Sequence, residues 1–257
     1  MRWRNALLSA IGVWVGAWWV GSWRSWDVFL AALAAATLTA VANTWNDIAD
    51  ADIDRLAHPE RPLPSGALSA ATAQRIARIA MLASVLSSAA VSVALALLTL
   101  LVLVLMYLYS PWIKRLGLPG NLLVAVLASL PFLYGAWAAG DARAGVYLVA
   151  IAAPLHLARE IAKDIDDEPA DRGRRRTLPV AHGISVARIM VAGSLVLFAV
   201  ALLPIAVTHV RFAVAVMPAL IVAALAALAS LRGRRGAPAL FKAAMLLSML
   251  ALVISQG

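Results

Sequence analysis

Between Asn43 and Gly66 the chain reads NTWNDIADADIDRLAHPERPLPSG. Asp47, Asp50, Asp52 and Asp54 crowd together there, in a chain otherwise rich in Ala, Leu and Val. If this stretch is helical, Asn43, Asp47, Asp50 and Asp54 fall at i, i+4, i+7 and i+11, on one face. Asp47 and Asp54 then stand about 10 Å apart along the axis. Carboxylates so arranged repel one another unless a cation lies between them. Hard oxygen ligands with room for water suit Mg²⁺, which commonly shares such carboxylates with a phosphate.

A second polar stretch, Arg159 to Pro179, reads REIAKDIDDEPADRGRRRTLP. Glu160, Asp164, Asp167 and Asp171 repeat the i, i+4, i+7, i+11 spacing, with Arg159 and Lys163 one position off that face. Of the 13 acidic residues, all but Asp27 and Asp141 lie in these two stretches. A wet, charged loop would explain acids in loops. It explains neither their absence from the other loops nor the one-face spacing. Nor does it explain why each cluster starts inside the end of an apolar run, where a charge costs roughly 2.5 to 3.5 kcal/mol. The two stretches share a pattern, which suggests an internal repeat whose half-sites face one another across a central cavity.

Carboxylates alone hold a cation, and Arg and Lys beside them hold an anion. Together they suit a metal-bridged diphosphate, with Mg²⁺ and basic side chains neutralising the phosphoryl oxygens. At the mouth of an apolar cavity, such a site fits an amphiphile with a diphosphate head and a lipid tail. The chemistry favoured is departure of the diphosphate from an allylic carbon. Aromatic faces can steady the cation left behind, and Tyr107, Tyr109, Tyr134 and Trp137 are available for that role or for simple packing.

The elements that must position these groups are membrane helices. The sequence is 63% hydrophobic and 14% charged, and uncharged runs recur at Ala6 to Trp23, Val28 to Asn46 and Ile79 to Ile113. Runs of roughly 20 apolar residues match a hydrocarbon core of about 30 Å. The expected class is an all-α polytopic membrane protein with nine transmembrane helices around a central cavity, near 5–23, 27–46, 72–92, 95–112, 120–139, 143–163, 184–203, 208–230 and 238–255. The break between the third and fourth spans is marked by no charge at all. Arg2 and Arg4 before an apolar run could mark a signal peptide, but no soluble stretch follows, so an uncleaved first span is expected. Pro131 and Pro154 are expected to interrupt their spans, and Ser69 to cap the third. The absence of Cys leaves neither disulfides nor thiolate metal sites.

A net charge of +9 could signal nucleic acid, but its distribution points to topology and no nucleic-acid partner is expected. Of the 22 Lys and Arg, all but Arg24, Arg143 and Arg211 fall at the N-terminus, in the even-numbered loops or at the helix ends beside them. The positive-inside rule then puts the N-terminus and both acidic stretches in the cytoplasm, with the active site on the cytoplasmic side of the plasma membrane. Trp14, Trp18, Trp19 and Trp23 suit an interfacial belt, and His209 is read as structural.

Asn46-Asp47-x-x-Asp50-x-x-x-Asp54, followed by Arg61, Pro62, Pro64, Ser65 and Gly66, resembles the first signature of the UbiA-type intramembrane prenyltransferase superfamily. The second stretch, with Asp167-x-x-x-Asp171, is similar to its second signature. Three runs, DIDRLAHPERPLPSG, REIAKDIDDEPADRGRRRTLP and KRLGLPGN, look like the ether-lipid branch, which prenylates geranylgeranylglyceryl phosphate. One departure is that Asp166 and Glu168-Pro169 stand where a Glu and a small, Gly-containing turn are usual. The resemblance implies one transmembrane prenyltransferase domain over 1–257, with cytoplasmic motif loops near 46–71 and 160–183. It implies that Asn46, Asp50 and Asp54 with Asp167 and Asp171 hold Mg²⁺ and diphosphate, assisted by Asp47, itself counted among the metal ligands, and by Asp164. Arg61, Lys114, Arg159 and Lys163 would contact phosphate, and Asn121 and Tyr107 would complete the substrate contacts. The implied partners are a prenyl diphosphate donor, a lipid-phosphate or aromatic acceptor, and membrane lipids.

Two other classes fit less well. A phospholipid-head alcohol phosphotransferase would need a single Asp-Gly-x-x-Ala-Arg type run, which is absent. A repeat-built transporter would carry its acids mid-span, whereas these lie at span ends.

Overall fold

A computed structural model describes residues 3–109, 112–173 and 176–256; the side chains of Ile53, Leu56, Ala57, Lys114 and Arg115 lie outside the described set. Among the described residues every regular element is helical: α1 (Trp3–Val20), α2 (Trp26–Ala49), α3 (Ala51–Ala57), α4 (Ala70–Val91), α5 (Val93–Tyr109), a 3₁₀ turn (Ile113–Leu116), α6 (Leu118–Ala138), α7 (Ala142–Asp171), α8 (Leu178–His182), α9 (Ile184–Thr208), α10 (Val210–Ala215), α11 (Met217–Leu231) and α12 (Ala237–Ser255). Among the described residues, six helical segments are long and apolar enough to cross a membrane: α2, α6, α7, α9, the α10–α11 stretch Val210–Leu231 and α12. Exposed Leu97, Val104, Val196, Leu203 and Ile221 give the bundle the apolar outer surface that lipid requires.

Local chemistry sets the helix starts. Ser25, Ser69 and Asp141 each accept a backbone N–H from three residues on, at 3.2, 3.1 and 2.9 Å, which satisfies a donor the helix cannot pair itself. The long apolar run between Arg78 and Lys114 is divided by one residue. Ser92 takes an extended conformation after α4, and its hydroxyl accepts the Leu95 N–H at 3.1 Å to start α5. Pro131, Pro154 and Pro169 lie inside continuous helices rather than interrupting them. Each frees one backbone carbonyl, a loss that packing in a bundle tolerates. The second acidic stretch is therefore helix as far as Asp171, and only the residues after it form a loop.

Small residues bring the helices together. A Cβ added to Gly16 would strike the Phe132 carbonyl, and one on Gly135 would strike that of Val13, so α1 and α6 meet backbone to backbone. Two cores result. Val13, Val28, Leu38, Leu95 and Tyr134 fill one between α1, α2, α5 and α6. Leu148, Ile161, Phe198, Phe212 and Phe241 fill the other among α7, α9, α10 and α12.

Four contacts orient the bundle. Asn5, at the start of α1, donates to Asn43 near the end of α2 at 3.4 Å. The Trp18 indole, at the end of α1, donates to the Val253 carbonyl at the end of α12 at 3.1 Å. The Gly236 N–H, at the start of α12, donates to Asp166 in α7 at 3.1 Å. Asn121, in the first turn of α6, donates to Asp164 in α7 at 2.9 Å. The starts of α1, α6 and α12 and the ends of α2 and α7 therefore share one end of the bundle. Both acidic stretches sit there.

Candidate active site

The first acidic stretch is not one continuous helix. Asn46 and Asp47 lie in the last turn of α2, Asp50 is the junction with φ −94° and ψ 3°, and Asp54 lies on α3. Asp50 is half-buried while Asp54 is 6% exposed. The Asp54 carboxylate accepts from the Arg61 guanidinium at 2.6 Å. The proline-rich loop after α3 curls back to allow this, closed by Ser65 N–H to Arg61 O at 2.9 Å and Leu68 N–H to Pro62 O at 2.8 Å. Thr44, Asp47, Asp54, Arg61, Leu68 and Ile76 line a pocket of about 200 Å³ between the end of α2, this loop and the start of α4. Asp52 points away, paired with Arg55 on the surface.

The second stretch is one continuous helix, the end of α7. Asp164 is half-buried and held by Asn121, Asp167 is exposed, and Asp171 is buried. Arg159 is ion-paired to Glu160, and Lys163 is exposed beside them. Glu168 is buried and accepts from the exposed Arg172 guanidinium at 2.5 Å. Tyr107 ends α5 and packs edge-on against Trp45 of α2, ring centroids 6.0 Å apart. Lys114 lies outside the described side chains.

The structure thus brings Asp54 to Arg61, Asn121 to Asp164 and Tyr107 to Trp45. The 200 Å³ pocket includes no residue of α7. Helix α2 packs chiefly on α4 and α1, and α7 chiefly on α6 and α9, while α6 touches both. Helix α6 is the element that the two acidic ends have in common. Three contacts lie beyond the reading of the sequence. The Glu168–Arg172 pair was legible from its i, i+4 spacing. Thr44 precedes Asp47 by three residues and shares its face. The Asp166–Gly236 bond had no signal at all, because its partners are far apart in the chain.

Among the described residues, no three carboxylates or imidazoles gather closely enough to hold a metal ion by themselves. The donor set nevertheless fits Mg²⁺. It is all oxygen, half-buried to buried at Asp47, Asp50, Asp54 and Asp171, and accompanied by cations that suit a phosphate. Mg²⁺ typically takes one or two carboxylates and draws its remaining ligands from water and phosphate oxygens, so a protein-only cage is not required.

Known proteins resemble this chain over most of its length. Residues 7–250 match the UbiA prenyltransferase family. The digeranylgeranylglyceryl phosphate synthase of Methanopyrus kandleri is 33% identical over 184 residues, 71% of this chain and 68% of that one. That of Korarchaeum cryptofilum is 32% identical over 192 residues, 73% and 68% of the two chains. The fold matches the solved structure of a UbiA homologue from Aeropyrum pernix K1 with a TM-score of 0.80 at 23% identity, covering 99% of this chain and 96% of that one. It also matches a UbiA homologue from Archaeoglobus fulgidus, solved with GPP and Mg²⁺ bound, with a TM-score of 0.69 at 18% identity over 98% and 96% of the chains. An all-helical membrane bundle with paired acidic stretches at one end and a match covering residues 7–250 lead to one conclusion: the chain belongs to the UbiA prenyltransferase family.

Proposed function

We propose that this prenyltransferase moves a geranylgeranyl group from its diphosphate to the hydroxyl of geranylgeranylglyceryl phosphate, giving an ether lipid and diphosphate. The observation that carries the reading is the gathering of both acidic stretches, with their Arg and Lys, at one end of an apolar bundle. An amphiphile with a charged head and a long tail fits that arrangement. The acceptor is suggested by relatives that carry the name digeranylgeranylglyceryl phosphate synthase.

In this reading Asn46, Asp47, Asp50 and Asp54 form one wall of the diphosphate site and Asp164, Asp167 and Asp171 the other. Asp47, Asp50, Asp54, Asp167 and Asp171 would hold Mg²⁺, with phosphate oxygens completing its shell, and the metal would neutralise the leaving diphosphate. Arg61, Lys114, Arg159 and Lys163 clamp phosphate oxygens, with Arg61 set by Asp54. Asn121 fixes the rotamer of Asp164, and Tyr107, packed edge-on against Trp45, adds a substrate contact. The prenyl tail lies among the helices, away from water, where an allylic cation lasts long enough to be trapped. Helices α1, α4 and α5 cross the membrane as well, making nine spans with α10 and α11 counted as one. The N-terminus and the acidic end face the cytoplasm of the plasma membrane, in keeping with the Lys and Arg bias.

The test is a lipid assay. Purified protein in bilayers receives labelled geranylgeranyl diphosphate, Mg²⁺, and either geranylgeranylglyceryl phosphate or an aromatic acceptor such as 4-hydroxybenzoate. Labelled ether lipid with the first and none with the second is the expected result. Label on the ring instead would overturn the acceptor assignment and leave the prenyl transfer standing.

A further inference from the structure

Ether formation needs a group to receive a proton. The acceptor oxygen attacks the allylic carbon, the carbon–oxygen bond to diphosphate breaks, and diphosphate leaves with the electron pair. The oxygen then carries one proton too many. The carboxylates at the bundle end are poor recipients if they are engaged with Mg²⁺, and Glu160 is already paired with Arg159.

One imidazole lies on the right face. His156 precedes Glu160 by four residues, Asp164 by eight and Asp167 by eleven, so on continuous α7 it shares their side. It sits about 12 Å deeper along the axis than Asp164 and about one turn deeper than Arg159. The opposite side of α7 carries Ile151, Leu155, Ala158 and Ala162, which are buried in the core against α9 and α12. His156 belongs to neither core and is half-buried. An ionisable side chain at this depth in a membrane helix is costly to place there, which points to a role in function. The level is also apt. Counting inward along this face of α7, His156 comes one turn after Glu160, on the side where a tail anchored at the acidic end would extend.

We propose that His156 is the catalytic base of this reaction. A ring nitrogen of its neutral imidazole accepts the acceptor hydroxyl's proton as the ether bond forms, and the proton then passes to the departing diphosphate. The inference rests on the acceptor reading above, because a hydroxyl nucleophile must lose a proton from oxygen.

The experiment compares wild type with His156→Phe and His156→Gly, full-length in bilayers, with labelled geranylgeranyl diphosphate, Mg²⁺ and geranylgeranylglyceryl phosphate. General-base loss typically costs 10²- to 10⁴-fold. The expected result for His156→Phe is a fall of about 100-fold in kcat for ether formation with donor KM within about twofold of wild type. The ratio of donor hydrolysis to ether product should rise, and added imidazole should restore part of the rate in His156→Gly. Ether formation by His156→Phe at the wild-type rate would overturn the role. A matched loss of donor binding and transfer with no imidazole rescue would do the same, by showing a packing role. Wild type that consumes donor but makes no ether would instead overturn the acceptor reading, and the proton role with it.

Discussion

The ends of α2 and α7 carry the same spacing of acidic or amide side chains, yet the structure treats them differently. At the end of α2 the chain bends at Asp50, and the last carboxylate, Asp54, is buried by an arginine only seven residues on. At the end of α7 the helix continues through Pro169 to Asp171. Two of its carboxylates reach distant partners, Asp164 to Asn121 and Asp166 to Gly236, while Glu160 and Glu168 pair locally with Arg159 and Arg172. Asp54 is held from its own loop, whereas Asp164 is held from a neighbouring helix. A common spacing therefore places charges on a face without specifying what restrains them.

If both walls grip one diphosphate, Asp50→Ala and Asp167→Ala should each lower turnover by about 10³-fold, roughly 4 kcal/mol, with normal membrane insertion. Turnover assays on isolated membranes, with protein quantified by blot, check this. Near-normal activity in either variant would leave a one-walled site. Chelating divalent metal should silence both walls together, and adding Mg²⁺ back should restore turnover.

A second prediction concerns the buried Asp54–Arg61 pair. Arg61→Ala leaves a carboxylate that is 6% exposed without its guanidinium. Breaking a fully buried pair costs about 3 to 5 kcal/mol, and the adjoining pocket should reduce that. We expect donor KM to rise about tenfold and thermal stability to fall. A double-mutant cycle with Asp54→Asn separates the pair from each residue's other contacts. Asn121→Ala probes the other wall and removes a hydrogen bond to a charged group, worth about 1.5 to 3 kcal/mol. We expect kcat/KM to drop about tenfold or more and the unfolding temperature to fall by part of that amount, since Asp164 is only half-buried and water can replace some of the lost bond.

The smallest effects lie outside the two faces. Asp166→Ala loses a single bond to the start of α12 and should cost about 1 kcal/mol, read as a modest drop in unfolding temperature. Arg55→Ala breaks a pair whose side chains are 66% and 90% exposed, and solvent screening leaves such pairs with little effect. Turnover and stability should both match wild type. A large loss at Arg55 would mean that the α3 surface belongs to the site.

Composition and periodicity were enough to read the membrane class, the clustering of acids at two helix ends and the cap at Ser69, because each depends on residues within a few turns of one another; the single face expected across Asn43 to Asp54 was not, since the helix breaks at Asp50. Apolar runs seek hydrocarbon, i+4 and i+7 neighbours share a face, and a serine before a helix pairs with the N–H three residues on. The division at Ser92 was foreseen within a few residues from length alone. The prolines misled, since the sequence shows the missing N–H but not the packing that compensates for it. The bend at Asp50, the Asn121–Asp164 bond and the Asp166–Gly236 bond were decided only by tertiary structure. The two bonds join residues 43 and 70 positions apart, and no local rule pairs such partners. Which helices lie side by side depends on how glycine and alanine let backbones meet, as at Gly16 and Gly135, and that packing brought both acidic ends to one end of the bundle.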